Sequence, residues 1–150
     1  MRNFAFIAAA ALVVAGPVTA QNWRLQAISG SISLNAGFRP DPFVINMTAG
    51  GSINANRLGG ACRGMISDAP DYELTYSAGS LPLAFRTNSS VDTTLVVNAP
   101  DGRWYCDDDS NGNLNARVLF NSPRSGTYDV WVGTYNGGYQ STRLEITELP

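Results

Sequence analysis

Apolar residues recur at every second position in run after run of this sequence, and turn-forming residues break the runs at intervals of about ten residues. Phe43, Ile45 and Met47 alternate with Val44, Asn46 and Thr48. Tyr72, Leu74 and Tyr76 alternate with Glu73 and Thr75, and Leu83 and Phe85 with Ala84 and Arg86. Val118 and Phe120 continue the pattern, and Leu144 and Ile146 close it. Tyr128, Val130 and Val132 face one way, with Asp129, Trp131 and Gly133 facing the other. A period of two is the signature of a strand with one buried face. Thr94-Leu95-Val96-Val97 is apolar without a gap and predicts a strand buried on both faces. Between the runs lie Pro40-Asp41-Pro42, Ala69-Pro70-Asp71, Pro100-Asp101-Gly102, Asn111-Gly112 and Asn136-Gly137-Gly138. Proline presets a turn dihedral, glycine permits positive φ, and Asp or Asn bonds its own backbone. Many short strands at this spacing predict an all-β domain, a β-sandwich of jelly-roll type. Ile53 to Leu58 could form a short helix, but Gly51 and Gly59-Gly60 bracket it, and it reads as strand or loop. Trp23 to Arg39 gives no firm assignment.

The first twenty residues differ from the rest. Arg2 is their only charge, Phe4 to Val14 is an apolar run rich in alanine, and Val18-Thr19-Ala20 offers small residues for cleavage. That order predicts a secretory signal peptide over residues 1 to 20. The run is shorter than the roughly 20 residues a membrane helix needs. Residues 21–150 are then one domain, with no later run long enough to span a membrane. The expected destination is the periplasm or the medium. Two cysteines, Cys62 and Cys106, in an exported chain predict one disulfide. A net charge of −2 argues against nucleic acid as a partner.

Asp92-Thr93-Thr94-Leu95, Pro100-Asp101-Gly102, Cys106-Asp107-Asp108-Asp109 and Ser125-Gly126-Thr127-Tyr128-Asp129-Val130-Trp131 together resemble the bacterial pre-peptidase C-terminal (PPC) domain. The likeness runs over about residues 90 to 135. The cysteine pair is not part of that family's general pattern. The resemblance implies a calcium-tolerant, jelly-roll-like β-sandwich, found beside secreted proteases or alone in export. It also implies a non-catalytic role in binding or secretion.

The acidic loop offers one candidate cofactor site. Asp107, Asp109 and Asn111 followed by Gly112 reproduce the first half of a calcium loop. Calcium takes roughly six to eight oxygen ligands, which alternate carboxylates on a tight turn supply. Asn113 extends the run, and Asp92 or Asp101 on neighbouring turns could complete it. The residue in the place of an EF-hand's closing glutamate is Val118, so no EF-hand is expected. The competing reading is a solvated turn whose Asp and Asn side chains bond local backbone.

Catalysis is constrained by what the chain lacks. It has no histidine, and all ten basic residues are arginine. A serine nucleophile therefore has neither an imidazole nor a lysine to activate it, and a cysteine nucleophile has no histidine. Zinc has no imidazole and no free thiolate pair. Paired carboxylates remain the one hydrolytic route, with Asp68, Asp71, Asp92 and Asp101 as acids beside turns. Trp104, Trp131 and Tyr135 are candidate ligand-binding aromatics, since flat rings stack on apolar ligand faces. The expectation is a non-catalytic exported module that binds a protein, peptide or glycan, or serves the cell envelope. The alternatives are a carboxylate hydrolase and an adhesin-like or inhibitor module.

Overall fold

The computed structural model describes residues 21–150, so the leader expected over residues 1 to 20 lies outside the described residues. The described residues form a sandwich of two β-sheets. Strands β1 (Ser31–Asn35), β5 (Tyr72–Ser77), β10 (Gly126–Thr134), β7 (Thr93–Asn98) and β8 (Trp104–Asp107) lie side by side in that order. Two-residue strands β3 (Ile53–Asn54) and β4 (Met65–Ile66) extend this sheet beyond the end of β5, where Met65 pairs with Thr134 of β10. The second sheet runs β2 (Phe43–Gly51), β11 (Gly138–Thr147), β6 (Leu83–Asn88) and β9 (Arg117–Phe120). All pairs are antiparallel except β1 with β5. No helix among the described residues is long and apolar enough to cross a membrane.

The alternation read from the sequence defines the inner faces. Leu74, Tyr76, Leu95, Val97, Tyr128, Val130 and Val132 from one sheet meet Met47, Leu83, Phe85, Leu144 and Ile146 from the other. Phe85, Phe120 and Tyr128 form an aromatic cluster within this core, with ring centres 5.2 to 6.2 Å apart. Thr94 to Val97 is buried at every position, as its run predicts, and the burial extends to Thr93 and Asn98 at the ends of β7. The unassigned stretch from Trp23 to Arg39 contributes β1, whose Ile32 and Leu34 pack on the core.

Strand β10 is buried on both faces, and the second face needs a separate cover. Ile53 to Leu58 reads as strand or loop in the sequence; the structure makes it β3 followed by a 3₁₀ turn, Ala55–Leu58. With β4 this segment forms a flap over the outer face of the first sheet. Beneath it Ala55, Cys62 and Ile66 pack on Val96 and Trp131. The flap passes so close to the sheet that a Cβ on Gly133 would collide with Thr94, Ile66 and the Met65 carbonyl. The disulfide joins Cys62 of the flap to Cys106 of β8. It thus fastens the cover to the neighbouring strand.

Asp71 closes the gap where β5 ends and β4 begins along β10. Its backbone N–H donates to the Val130 carbonyl at 2.8 Å, and its Oδ2 accepts from the Val132 N–H at 2.7 Å. The carboxylate replaces a missing strand carbonyl. Burial pushes the Asp71 carboxyl up to about 7, against the pull of the Val132 and Ser67 hydrogen bonds.

Two predictions follow from this packing. Replacing both cysteines by alanine should cost about 4 kcal/mol in the chain-entropy picture for a loop of this length. It should also loosen the flap, with a red shift in the emission of Trp131 and faster proteolysis between residues 53 and 66; an unchanged spectrum and cleavage rate would refute the fastening role. For Asp71, the folded pKa lies above the unfolded one. Between pH 4 and 7 the unfolded chain gives up a proton that the fold keeps, so this group's contribution to stability declines as pH rises across that window. Asp71→Asn keeps an oxygen for Val132, and its melting midpoint should fall less than the parent's between pH 4.5 and 8.

Candidate functional site

The two-residue period places Asp129 and Trp131 on the outer face of β10, away from the core. Strand pairing then assembles a row that no single segment contains. Ser31 opposes Glu73, Glu73 opposes Asp129, Asp129 opposes Asn98, and Asn98 opposes Trp104, across β1, β5, β10, β7 and β8. Glu73, Asp129, Asn98 and Trp104 line an open groove of about 1040 Å³. Trp23, Arg24, Leu25 and Gln26 form the wall facing them. This wall hangs from the sheet edge through Gln21, whose Nε2 donates to the Ser67 carbonyl and, at 2.8 Å, to that of Asp68. Ile28 N–H adds a bond to the Pro70 carbonyl at 2.9 Å.

Trp104 separates the groove from the flap. Its ring lies 5.4 Å from that of Trp131, which belongs to the flap cluster. Trp23 is exposed, and the Arg24 guanidinium lies over its ring at 4.9 Å. The floor is acidic. Asp129 is only 4 % exposed, and its Oδ1 is buried with no hydrogen-bond partner. Burial and then the Glu73 charge push its carboxyl up to about 6.

Asp129 is exceptional among the buried acids of the described residues. Asp71 bonds Val132 and Ser67. Glu145 pairs with Arg86 at 2.7 Å. Glu148 accepts from the Tyr76 hydroxyl at 2.6 Å and from the Gly37 N–H. A buried polar oxygen left unpaired costs about 1 to 3 kcal/mol. The groove opens beside the acid that carries this cost.

The candidate aromatics separate. Trp104 lines the groove. Trp131 is fully buried under the flap, so the expectation that it offers a ligand surface is corrected: the disulfide-fastened cover has taken that face. Tyr135 is exposed, but it follows β10 at the other end of the sheet, where its N–H bonds the Asp92 carbonyl. Trp131 and Tyr135 therefore make no joint apolar patch.

The six residues expected to share a calcium ion do not converge. Asp101 is corrected outright: the β7–β8 hairpin carries it to the end opposite Asp107. There its carboxylate accepts from the Arg103 N–H and the Tyr105 hydroxyl. Asp107 is committed to Ser110 and to the Arg117 N–H, which it holds at 2.8 Å. Asn111 donates to the Thr87 carbonyl at 2.9 Å, and the Asn113 carbonyl accepts from Asn115. Asp92 does come to the loop: burial, then the charges of Asp109 and Asp108, raise its pKa, and its Oδ1 has no partner. No three acidic, histidine or cysteine side chains among the described residues are grouped to hold a metal ion. The expected six-residue set does not fit calcium.

Glu73, Asp129, Asn98 and Trp23 were not singled out as site residues by the sequence. Their one signal is polar side chains inside otherwise apolar strands, at Glu73, Asn98 and Asp129. No protein-family model matches the chain, and no curated protein matches it significantly.

Proposed function

We propose that this chain is an exported, non-catalytic binding module that holds a ligand in the groove over Glu73, Asp129 and Asn98. The observation that carries this reading is the buried, unpartnered Oδ1 of Asp129 at the floor of an open groove walled by Trp23 and Trp104. A few converging polar groups beside flat aromatic walls are what a binding site requires. Export is supported by the leader pattern and by the disulfide, which persists in oxidising compartments. The resemblance to the PPC domain fits a binding role. Peptides and glycans are the ligand classes to screen. Trp23→Ala, at an exposed position, should abolish binding without lowering the melting midpoint. Binding retained at full strength would place the ligand elsewhere.

A second reading has one observation in its favour: Glu73 and Asp129 are two acids directly opposed in a concave site, one with a raised pKa. Hydrolysis of glycosides uses such pairs. Turnover of a chromogenic glycoside by the purified protein, abolished in Asp129→Asn, would establish that reading in place of the first.

Calcium stays in the proposal only as an ion drawn to Asp92 beside the acidic loop, since the described residues hold no preformed group of three acids. The sheltered, unpartnered Oδ1 of Asp92 speaks for it, and the commitment of Asp107 and Asp101 elsewhere speaks against it. A melting midpoint that rises in millimolar calcium and falls in chelator would establish the ion; no shift in either would remove it.

A further inference from the structure

The charged groups lining the groove are Glu73, Asp129 and Arg24. Directly opposed residues on antiparallel strands hold their Cβ atoms about 5 Å apart, and like charges so placed repel. A protein cation could relieve that repulsion, but none does: the one ion pair among the described residues is Arg86 with Glu145, on the other sheet. Arg24, the only basic residue on the groove wall, stacks on Trp23 instead. The groove thus has two acids facing one another, one with a sheltered free oxygen, and an aromatic wall that already accommodates a cation.

We propose that the groove binds a basic peptide, with a lysine or arginine side chain placed between Glu73 and Asp129 and its apolar stem along Trp104. The inference rests on the binding role proposed above and names its ligand class. The physical argument is charge complementarity. An ammonium or guanidinium offers N–H donors to the Asp129 carboxylate and to Glu73 together, and its charge favours the ionised form of Asp129. A neutral ligand leaves the repulsion in place. The volume of about 1040 Å³ is at the upper end of small-molecule sites, roughly 300 to 1,000 Å³. It is open at the top, which leaves room for the residues flanking the basic side chain.

The test is titration of the purified protein, followed by tryptophan fluorescence and calorimetry, with four probes. These are an acetylated, amidated Ala-Lys-Ala-Arg-Ala peptide, the same peptide with glutamine for both basic residues, spermidine, and a neutral cello-oligosaccharide. The basic peptide should bind at least about ten-fold more tightly than the other three. Asp129→Asn and Glu73→Gln should each weaken it by about ten-fold with the melting midpoint preserved or raised, since each removes one of two opposed charges. Affinity should also fall as pH drops from 7.5 to 5, because protonation of Asp129, whose carboxyl burial and the Glu73 charge push up to about 6, removes a charge from the cation's site. Saccharide binding that Trp23→Ala abolishes, without peptide binding, would overturn the cationic ligand and leave the binding module standing. Spermidine as tight as the peptide would overturn the peptide as occupant. Peptide binding unchanged in both variants would overturn the site. Silence from every probe would overturn the ligand class, and a broad glycan and peptide screen negative as well would overturn the binding module.

Discussion

Strand β10 must be buried on two sides, and the architecture follows from that requirement. Tyr128, Val130 and Val132 enter the core between the sheets, while Trp131 on the opposite face is equally buried. A two-layer sandwich covers only one face of each sheet. The outer face around Trp131 would otherwise expose one of the largest apolar side chains in the chain. The flap from Ile53 to Ile66 supplies the missing layer, and the Cys62–Cys106 bridge keeps it in place. Small two-residue strands make few hydrogen bonds, so a covalent fastening does what a longer ladder would do elsewhere.

The flap stops short of the other end of the sheet. Beyond Trp104 the outer face is left to Glu73, Asp129 and Asn98, overlooked by Trp23 to Gln26. One face of one sheet is thus divided. Its apolar half is sealed and its polar half stays open. Trp104 marks the border, with one side against Trp131 and the other toward the groove. The same strand that needs the cover also carries the acid in the groove, two residues away.

The strands were readable because period-two alternation is a local property. Tyr72 to Tyr76 and Tyr128 to Val132 state their faces within a few residues, and the gapless run from Thr94 to Val97 states that it has no exposed face. The flap was not readable: Ile53 to Leu58 has no period of its own, and it is shaped by the sheet it covers. The site was hidden for a related reason. Glu73, Asn98 and Asp129 meet only through strand pairing between segments far apart in sequence, and pairing partners are not written in either strand alone. The acidic loop misled in the opposite way. Its sequence resembles a metal loop, but Asp107 spends its carboxylate on Ser110 and Arg117, holding the turn that leads into β9. A hairpin's direction, invisible in composition, sends Asp101 to the wrong end.

The buried acids of this fold are distinguished by their partners. Asp71, Glu145 and Glu148 are buried because each completes something: a ladder gap, an ion pair, a link between β5 and the chain beyond β11. Each has its partners within the protein. Asp129 lies equally deep, opposite another carboxylate, with an oxygen that no group of the chain satisfies. Apolar residues at positions 73 and 129 would relieve the repulsion and suit the strands better. The fold itself gives this arrangement no use; under the proposed reading its compensation lies outside the chain, in a ligand that brings the donors and the positive charge the groove lacks.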